Sequence, residues 1–152
     1  KMLGMFVGEA TLGEEGSFFI MLQKVFSNED LQAKMIELNQ EQMYDEQETR
    51  LGRKHGLYAQ KTLRRKRRRD GSYPERYTFE ETGAFYNSLN VYAGETGVQM
   101  LTDFRIDHIA SLFATYASED DLGLNEENIL SLKEDIVDGL RGEIRNYLKN
   151  SL

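Results

Sequence analysis

Residues 64–69 read Arg-Arg-Lys-Arg-Arg-Arg. Six adjacent cations cannot share an apolar core, because an unpaired buried charge costs far more than packing returns. They also repel one another. The chain must therefore build its core on either side of this run and leave the run at the surface. The chain as a whole is acidic, with 19 Lys and Arg against 26 Asp and Glu and a net charge of −7. From Arg50 to Arg76 there are 11 basic residues against two acidic ones, Asp70 and Glu75, a net of +9, and the remainder carries −16. An acidic body with one concentrated basic segment points to a partner of opposite charge.

At 152 residues, 39% of them apolar, the chain is long enough to bury a core as one domain, 1–152. It has no cysteine, so disulfides, thiolate nucleophiles and zinc–thiolate sites are excluded. No stretch reaches the ~18 apolar residues of a membrane span. The apolar start at residues 2–7 is stopped by Glu9, which makes a poor signal peptide. No membrane partner is expected.

Residues 1–16 are Gly-rich and irregular, with one short strand at 2–7. Residues 17–46 read as one kinked helix or two abutting ones. Ser27 stands where a cap is needed, with Asp30 three residues on. Leu31, Met35, Leu38 and Gln42 keep helical spacing, with Ile36 and Met43 beside them. Residues 47–76 show no sustained apolar period. They hold Gly52, Gly56, Gly71, the basic run and the turn signal Asp70-Gly71-Ser72-Tyr73-Pro74. This segment is expected to be a long, mobile basic loop or arm, and loops of that length are usually functional.

The period then changes. Segments 76–81, 88–94 and 97–104 alternate apolar and polar residues, with Leu89, Val91 and Ala93 on one face and Val98 and Met100 on another. They predict a small antiparallel sheet, its last two strands joined as a hairpin. Thr82 is expected to cap a short helical turn over 82–88. Residues 105–117 carry an amphipathic stripe of Ile106, Ile109, Leu112, Phe113 and Tyr116. Asn125 is placed to cap a last helix, in which Ile129, Leu132, Ile136, Leu140, Ile144, Tyr147 and Leu148 recur at helical spacing around Gly139 and Gly142. The expected order is helix, long basic loop, three strands and two C-terminal helices, an α+β fold.

The basic run has two functional readings. Lys61, Arg64, Arg65, Lys66, Arg67, Arg68, Arg69 and Arg76 could contact phosphates, with Tyr58, Tyr73 and Tyr77 stacking on bases. Alternatively the segment docks on an acidic protein surface, including another copy of this domain. No zinc finger, RNP aromatic pair or GxxG loop accompanies the run, which favours the protein surface. Asp103, Asp107 and His108 could crowd a metal, but acids at a helix start more often complement its dipole. Residues 118–128 are acidic without calcium-loop spacing. No phosphate-binding or nucleophile-elbow motif occurs. No catalytic site, cofactor, metal or small-molecule substrate is expected.

The segment from Tyr77 to Val91 is the most distinctive. Phe79, Thr82, Gly83, Phe85, Ser88, Leu89 and Val91 form a pattern that resembles virion morphogenesis proteins of tailed phages. Asn39 and Gln42, then Gly52, Tyr58 and Thr62, the basic run, Thr82 to Phe85 and the segment 122–132 together resemble proteins encoded by phages and prophages of gut Bacteroidetes. The resemblance covers roughly residues 30–150. It implies a part of the head–tail joining or tail-completion apparatus. Such a part sits in the virion, and in the host cytoplasm during assembly. Its partners are other virion proteins and its own copies in a ring, with DNA contact an alternative. Within the pattern, Thr82, Gly83, Phe85 and Ser88 are read as structural: a cap, a tight turn and an anchor on the core.

Overall fold

A computed structural model of the chain describes residues 16–79, 83–94, 97–102 and 122–150. These residues form five α-helices and a two-stranded antiparallel sheet, a mixed α+β arrangement. Helix α1 (Gly16–Phe26) and helix α2 (Glu29–Glu41) abut as the sequence predicts. The cap between them is Asn28, not Ser27. Asn28 has an extended backbone, and its Oδ1 accepts from the Leu31 amide at 3.0 Å. Ser27 still belongs to the closing turn of α1, and its Oγ donates to the Gln23 carbonyl at 2.7 Å.

Helix α2 runs into one π turn (Gln42–Glu46), which ends at Gln47 in the left-handed region with φ 56°. The widened turn brings Gln42 and Met43 to the buried side together. Asn39 and Gln42 are both fully buried. Asn39 Nδ2 and Gln42 Nε2 both donate to the Gly123 carbonyl, at 2.9 and 3.0 Å. Gln42 Oε1 accepts from the Asn125 amide at 2.7 Å and from Asn128 Nδ2 at 3.1 Å. Two amides at the end of α2 thus clasp a segment more than eighty residues away. The sequence reading treats Gln42 as one more residue on the helix's core face. The structure makes it a polar joint.

Strands β1 (Leu89–Gly94) and β2 (Gly97–Thr102) pair with Val91 opposite Met100 and Ala93 opposite Val98. One face of this hairpin is therefore the apolar one anticipated from the alternation. It packs with Val25, Leu31, Met35, Leu124 and Leu132 in the main core. A second cluster joins Met43, Phe85, Leu89 and Leu122, with Ile36, Phe79 and Tyr86 against it.

The expected strand over 76–81 does not form within the described residues. Arg76 makes a single bridge with Leu57, and Phe79 has φ 56°, a left-handed turn that an extended chain cannot pass through. The turn at Tyr86–Ser88 is a 3₁₀ turn. Gly83, with φ 74°, leads into it, and the Asn87 amide donates back to the Gly83 carbonyl at 2.9 Å. Phe85 anchors the turn in the second cluster, and the Ser88 hydroxyl bridges to Thr102 Oγ1 at 2.6 Å. Thr82, residues 1–15 and the helix expected over 105–117 lie outside the described residues.

Asn125 caps as expected, its Oδ1 accepting from the Asn128 amide at 2.9 Å. The helix it opens is split in two. Helix α4 (Glu126–Ser131) stops at buried Leu132, and helix α5 (Lys133–Asn150) follows. The middle of the apolar stripe enters the core: Leu132, Ile136 and Leu140 pack there, whereas Ile129, Ile144, Tyr147 and Leu148 are exposed. Helix α5 lies along α1, where Gly139 lets the two approach. A Cβ at Gly139 would sit 2.9 Å from Val25 Cγ1, whereas one at Gly142 would meet nothing within 4 Å. Lys24–Glu143 and Lys34–Asp135 ion pairs flank this contact at 3.5 and 2.6 Å.

The two glycines should therefore respond in opposite senses. Gly139→Leu overpacks the α1–α5 contact and is expected to cost about 1–3 kcal/mol. Gly142→Ala removes backbone entropy without a clash and is expected to add about 0.5–1 kcal/mol. Urea unfolding of the two variants beside the parent checks both signs.

Candidate functional site

The basic run is not a loop. Residues 60–70 form helix α3 (Gln60–Asp70), followed by Gly71 with φ 80°. The remainder of the expected 47–76 loop is pinned by a Glu48–Lys54 bridge and a Leu57–Arg76 bridge. Three causes make a helix of a cationic run. Arg, Lys and Gln have good intrinsic helix propensity. Arg67, Arg68 and Arg69 occupy the last turn, where cations complement the helix dipole. Leu63 and Lys66 supply a buried side that holds the helix to the body.

Lys66 is the unexpected member. It is only 3% exposed. Its Nζ lies 4.4 Å from the ring centroid of Tyr73 and 5.1 Å from that of Tyr58. The same Nζ donates to the Tyr73 hydroxyl at 3.0 Å, and that hydroxyl also lies 3.1 Å from Thr78 Oγ1. The cation is thus held by two aromatic faces and a hydroxyl, which offset its desolvation. Burial pushes the Tyr73 phenol above its ordinary range, against the opposing pull of the Thr78 and Lys66 hydrogen bonds. Tyr58 packs edge-on against Tyr77 with centroids 4.9 Å apart, and the Tyr58 hydroxyl accepts from the Thr78 amide at 3.3 Å. In the nucleic-acid reading, Tyr58, Tyr73 and Tyr77 flank the run as base-stacking platforms. In the structure Tyr58 and Tyr73 form the socket for Lys66, and Tyr77 backs Tyr58.

Arg76 also serves the interior. Its guanidinium donates to the His55 carbonyl at 2.6 Å. The buried His55 ring donates from Nδ1 to the Tyr77 carbonyl at 2.6 Å. Of the eight basic residues singled out by sequence, Lys66 and Arg76 are therefore structural anchors. Arg67 pairs with Glu75 at 3.1 Å, and Arg69 embraces Asp70 from the next position. The Arg69 hydrogen bonds hold the Asp70 carboxyl below its ordinary range.

The other four form one surface. Lys61, Arg64, Arg65 and Arg68 stand at i, i+3, i+4 and i+7, all exposed. At 3.6 residues per turn they fall within an arc of about 100°, on the side of α3 away from Leu63 and Lys66, over about 10 Å of its length. No carboxylate among the described residues pairs with them. The helical spacing of these four was the signal in the sequence. It is hidden because Lys66, Arg67 and Arg69, interleaved with them, are also basic.

Elsewhere the chemistry is thin. A shallow groove of about 350 Å³ between α1, α2 and α5 is lined by mixed charges, among them Lys24, Asp30, Lys34 and Asp138. Among the described residues no group of three or more His, Cys, Asp or Glu could hold a metal. Asp103, Asp107 and His108 lie outside them. No helix among them is long and apolar enough to cross a membrane. Comparison with protein-family profiles, with curated proteins and with solved structures finds no match.

The socket makes two predictions. Lys66→Met keeps the packing and should change stability by less than about 1.5 kcal/mol. Lys66→Glu places a carboxylate against two aromatic faces and should cost about 3 kcal/mol or more, with loss of α3 helicity by circular dichroism. The second prediction concerns pH. A raised Tyr73 pKa means that the folded state favours the neutral phenol. Its contribution is intact below the unfolded value of about 10 and is lost as pH rises through the higher folded value. Thermal melts between pH 8 and 11.5 should show a decline above about pH 10 that is shallower in Tyr73→Phe.

Proposed function

We propose that the chain is a non-enzymatic structural protein of a tailed-phage virion, acting at the head–tail interface or in tail completion. In this reading it is present in the virion, and in the bacterial host cytoplasm during assembly. Its partners are other virion proteins and further copies of itself. The observation that carries the reading is the outward face of α3. Lys61, Arg64, Arg65 and Arg68 project from a helix already fixed by Leu63 and the Lys66 socket. A partner that meets this face orders side chains only, so little of the contact energy is lost to folding an arm. The residues that carry the phage resemblance support the same reading through scaffold roles. Asn39 and Gln42 form the buried joint, Phe85 enters the core, and Ser88 ties its turn to β2.

A second reading is a phage-encoded nucleic-acid-binding module. The stripe of four cations on one helical face favours it, because such a stripe can follow successive phosphates. Tyr73 is buried, and the half-buried Tyr58 and Tyr77 pack edge-on against each other, so in this reading the contact is chiefly to the nucleic-acid backbone and carries little sequence preference.

The triple variant Arg64→Ser/Arg65→Ser/Arg68→Ser separates these readings. It is expected to fold with unchanged far-ultraviolet circular dichroism, since none of the three is buried. Particles assembled with it should lack joined tails by electron microscopy. Normal particles would end the assembly reading for this helix. If the nucleic-acid reading holds, the parent binds duplex DNA at ~50 mM salt with a log–log salt slope of about −0.9 per phosphate, and the variant loses that slope. No binding by the parent removes that alternative.

A further inference from the structure

Helix α2 carries a ridge of the opposite sign. Glu37 and Glu41 at the end of α2 and Asp45 in the π turn that continues it follow one another at i, i+4 and i+8, all exposed, with Asp30 two turns earlier on the same side and Lys34, which is paired with Asp135, between Asp30 and Glu37. No cation among the described residues pairs with any of the four. The ridge lies off the face that buries Leu31, Met35 and Asn39. Its Glu37–Asp45 stretch is about 10–12 Å long, close to the length of the α3 stripe. Tyr44, 37% exposed, stands beside it and offers an aromatic face for a guanidinium.

These two faces do not meet within one chain: no ion pair joins α2 to α3 among the described residues. The Glu37–Asp45 stretch and the α3 stripe are each a row of like charges on helical backbone, and each would be relieved by the other. A contact of this kind between copies is heterologous, since it joins two different patches. It repeats from copy to copy until the rotation closes a ring or extends a filament.

We propose that the Lys61–Arg64–Arg65–Arg68 face of α3 docks on the Glu37–Glu41–Asp45 ridge of α2 in a second copy of this chain, head to tail. The inference rests on the docking role of α3 and names its partner. The joint is electrostatic, so ionic strength governs it: charges on one copy stop feeling the other beyond ~10 Å at 0.1 M salt and beyond ~3 Å at 1 M. Arg64, Arg65 and Arg68 give the pairing its geometry, because guanidinium forks match carboxylates two bonds at a time.

Charge swapping tests it with the whole chain. Light scattering of the parent should give a weight-average mass at least about twice that of one chain at ~50 mM salt, falling toward one chain near 1 M. Arg64→Glu/Arg65→Glu/Arg68→Glu should be monomeric at both, and so should Glu37→Lys/Glu41→Lys/Asp45→Lys. Mixing the two variants restores both complementary pairings and should restore the mass. A monomeric parent at low salt overturns the proposal, as does an assembly indifferent to the α2 changes or a mixture that stays monomeric. If the α3 changes abolish tail joining or DNA binding while the α2 changes do not, self-docking is overturned and the docking role of α3 stands with another polyanion.

Discussion

The structure turns on the side chain of Gln42. Its amide is fully buried, and it binds in three directions: to the Gly123 carbonyl, to the Asn125 amide and to the Asn128 side chain. A weaker contact at 3.3 Å reaches the Glu48 carbonyl. A buried amide left without such partners would cost roughly 1–3 kcal/mol, so its satisfaction fixes the exit of α2, the turn at Gly123 and the entry of α4 together. The π turn is the backbone's contribution. It widens the helix where Gln42 and Met43 must both face inward, one to the polar joint and one to the second apolar cluster. Around this joint the hairpin and the helices complete the core with ordinary apolar packing.

Helix α3 obeys a different constraint. Its problem is like charge, and it divides the charges by role. One is buried between tyrosines, two are neutralised by neighbouring acids, and four are turned outward on a single face. The inward residues carry the stability and the outward ones carry the field. The fold therefore places no demand on which outward residues are present, provided they are good helix formers. A rigid cationic face on an acidic body is a means of steering one patch, rather than the whole molecule, toward a partner.

Much of this was legible in the sequence, and the failures have particular causes. The abutting N-terminal helices, the apolar faces of the hairpin and the Asn125 cap follow from local patterns of period and capping. Ser27 and Asn28 are both good capping residues, and only backbone geometry selects Asn28. The first expected strand, 76–81, fails at Phe79, whose left-handed backbone no apolar alternation reveals. The basic helix was read as a loop because apolar periodicity is silent where an ammonium occupies the core position. The cue is the pair of tyrosines around Lys66, which in sequence also suit stacking on bases.

The polar joint also sets an order of events during synthesis. Asn39 and Gln42 leave the ribosome more than eighty residues before Gly123 and Asn125, their partners in the finished fold. At the usual pace of translation that interval is on the order of ten seconds. Through it, α1 and α2 can form as helices, but their amides must remain with water. The N-terminal half is thus held open until the C-terminal segment emerges, and a truncated chain lacks the groups needed to close it. The same long separation makes closure a late, all-at-once event. A chain cut short of residue 123 therefore leaves the amides of Asn39 and Gln42 in water and cannot fix the exit of α2.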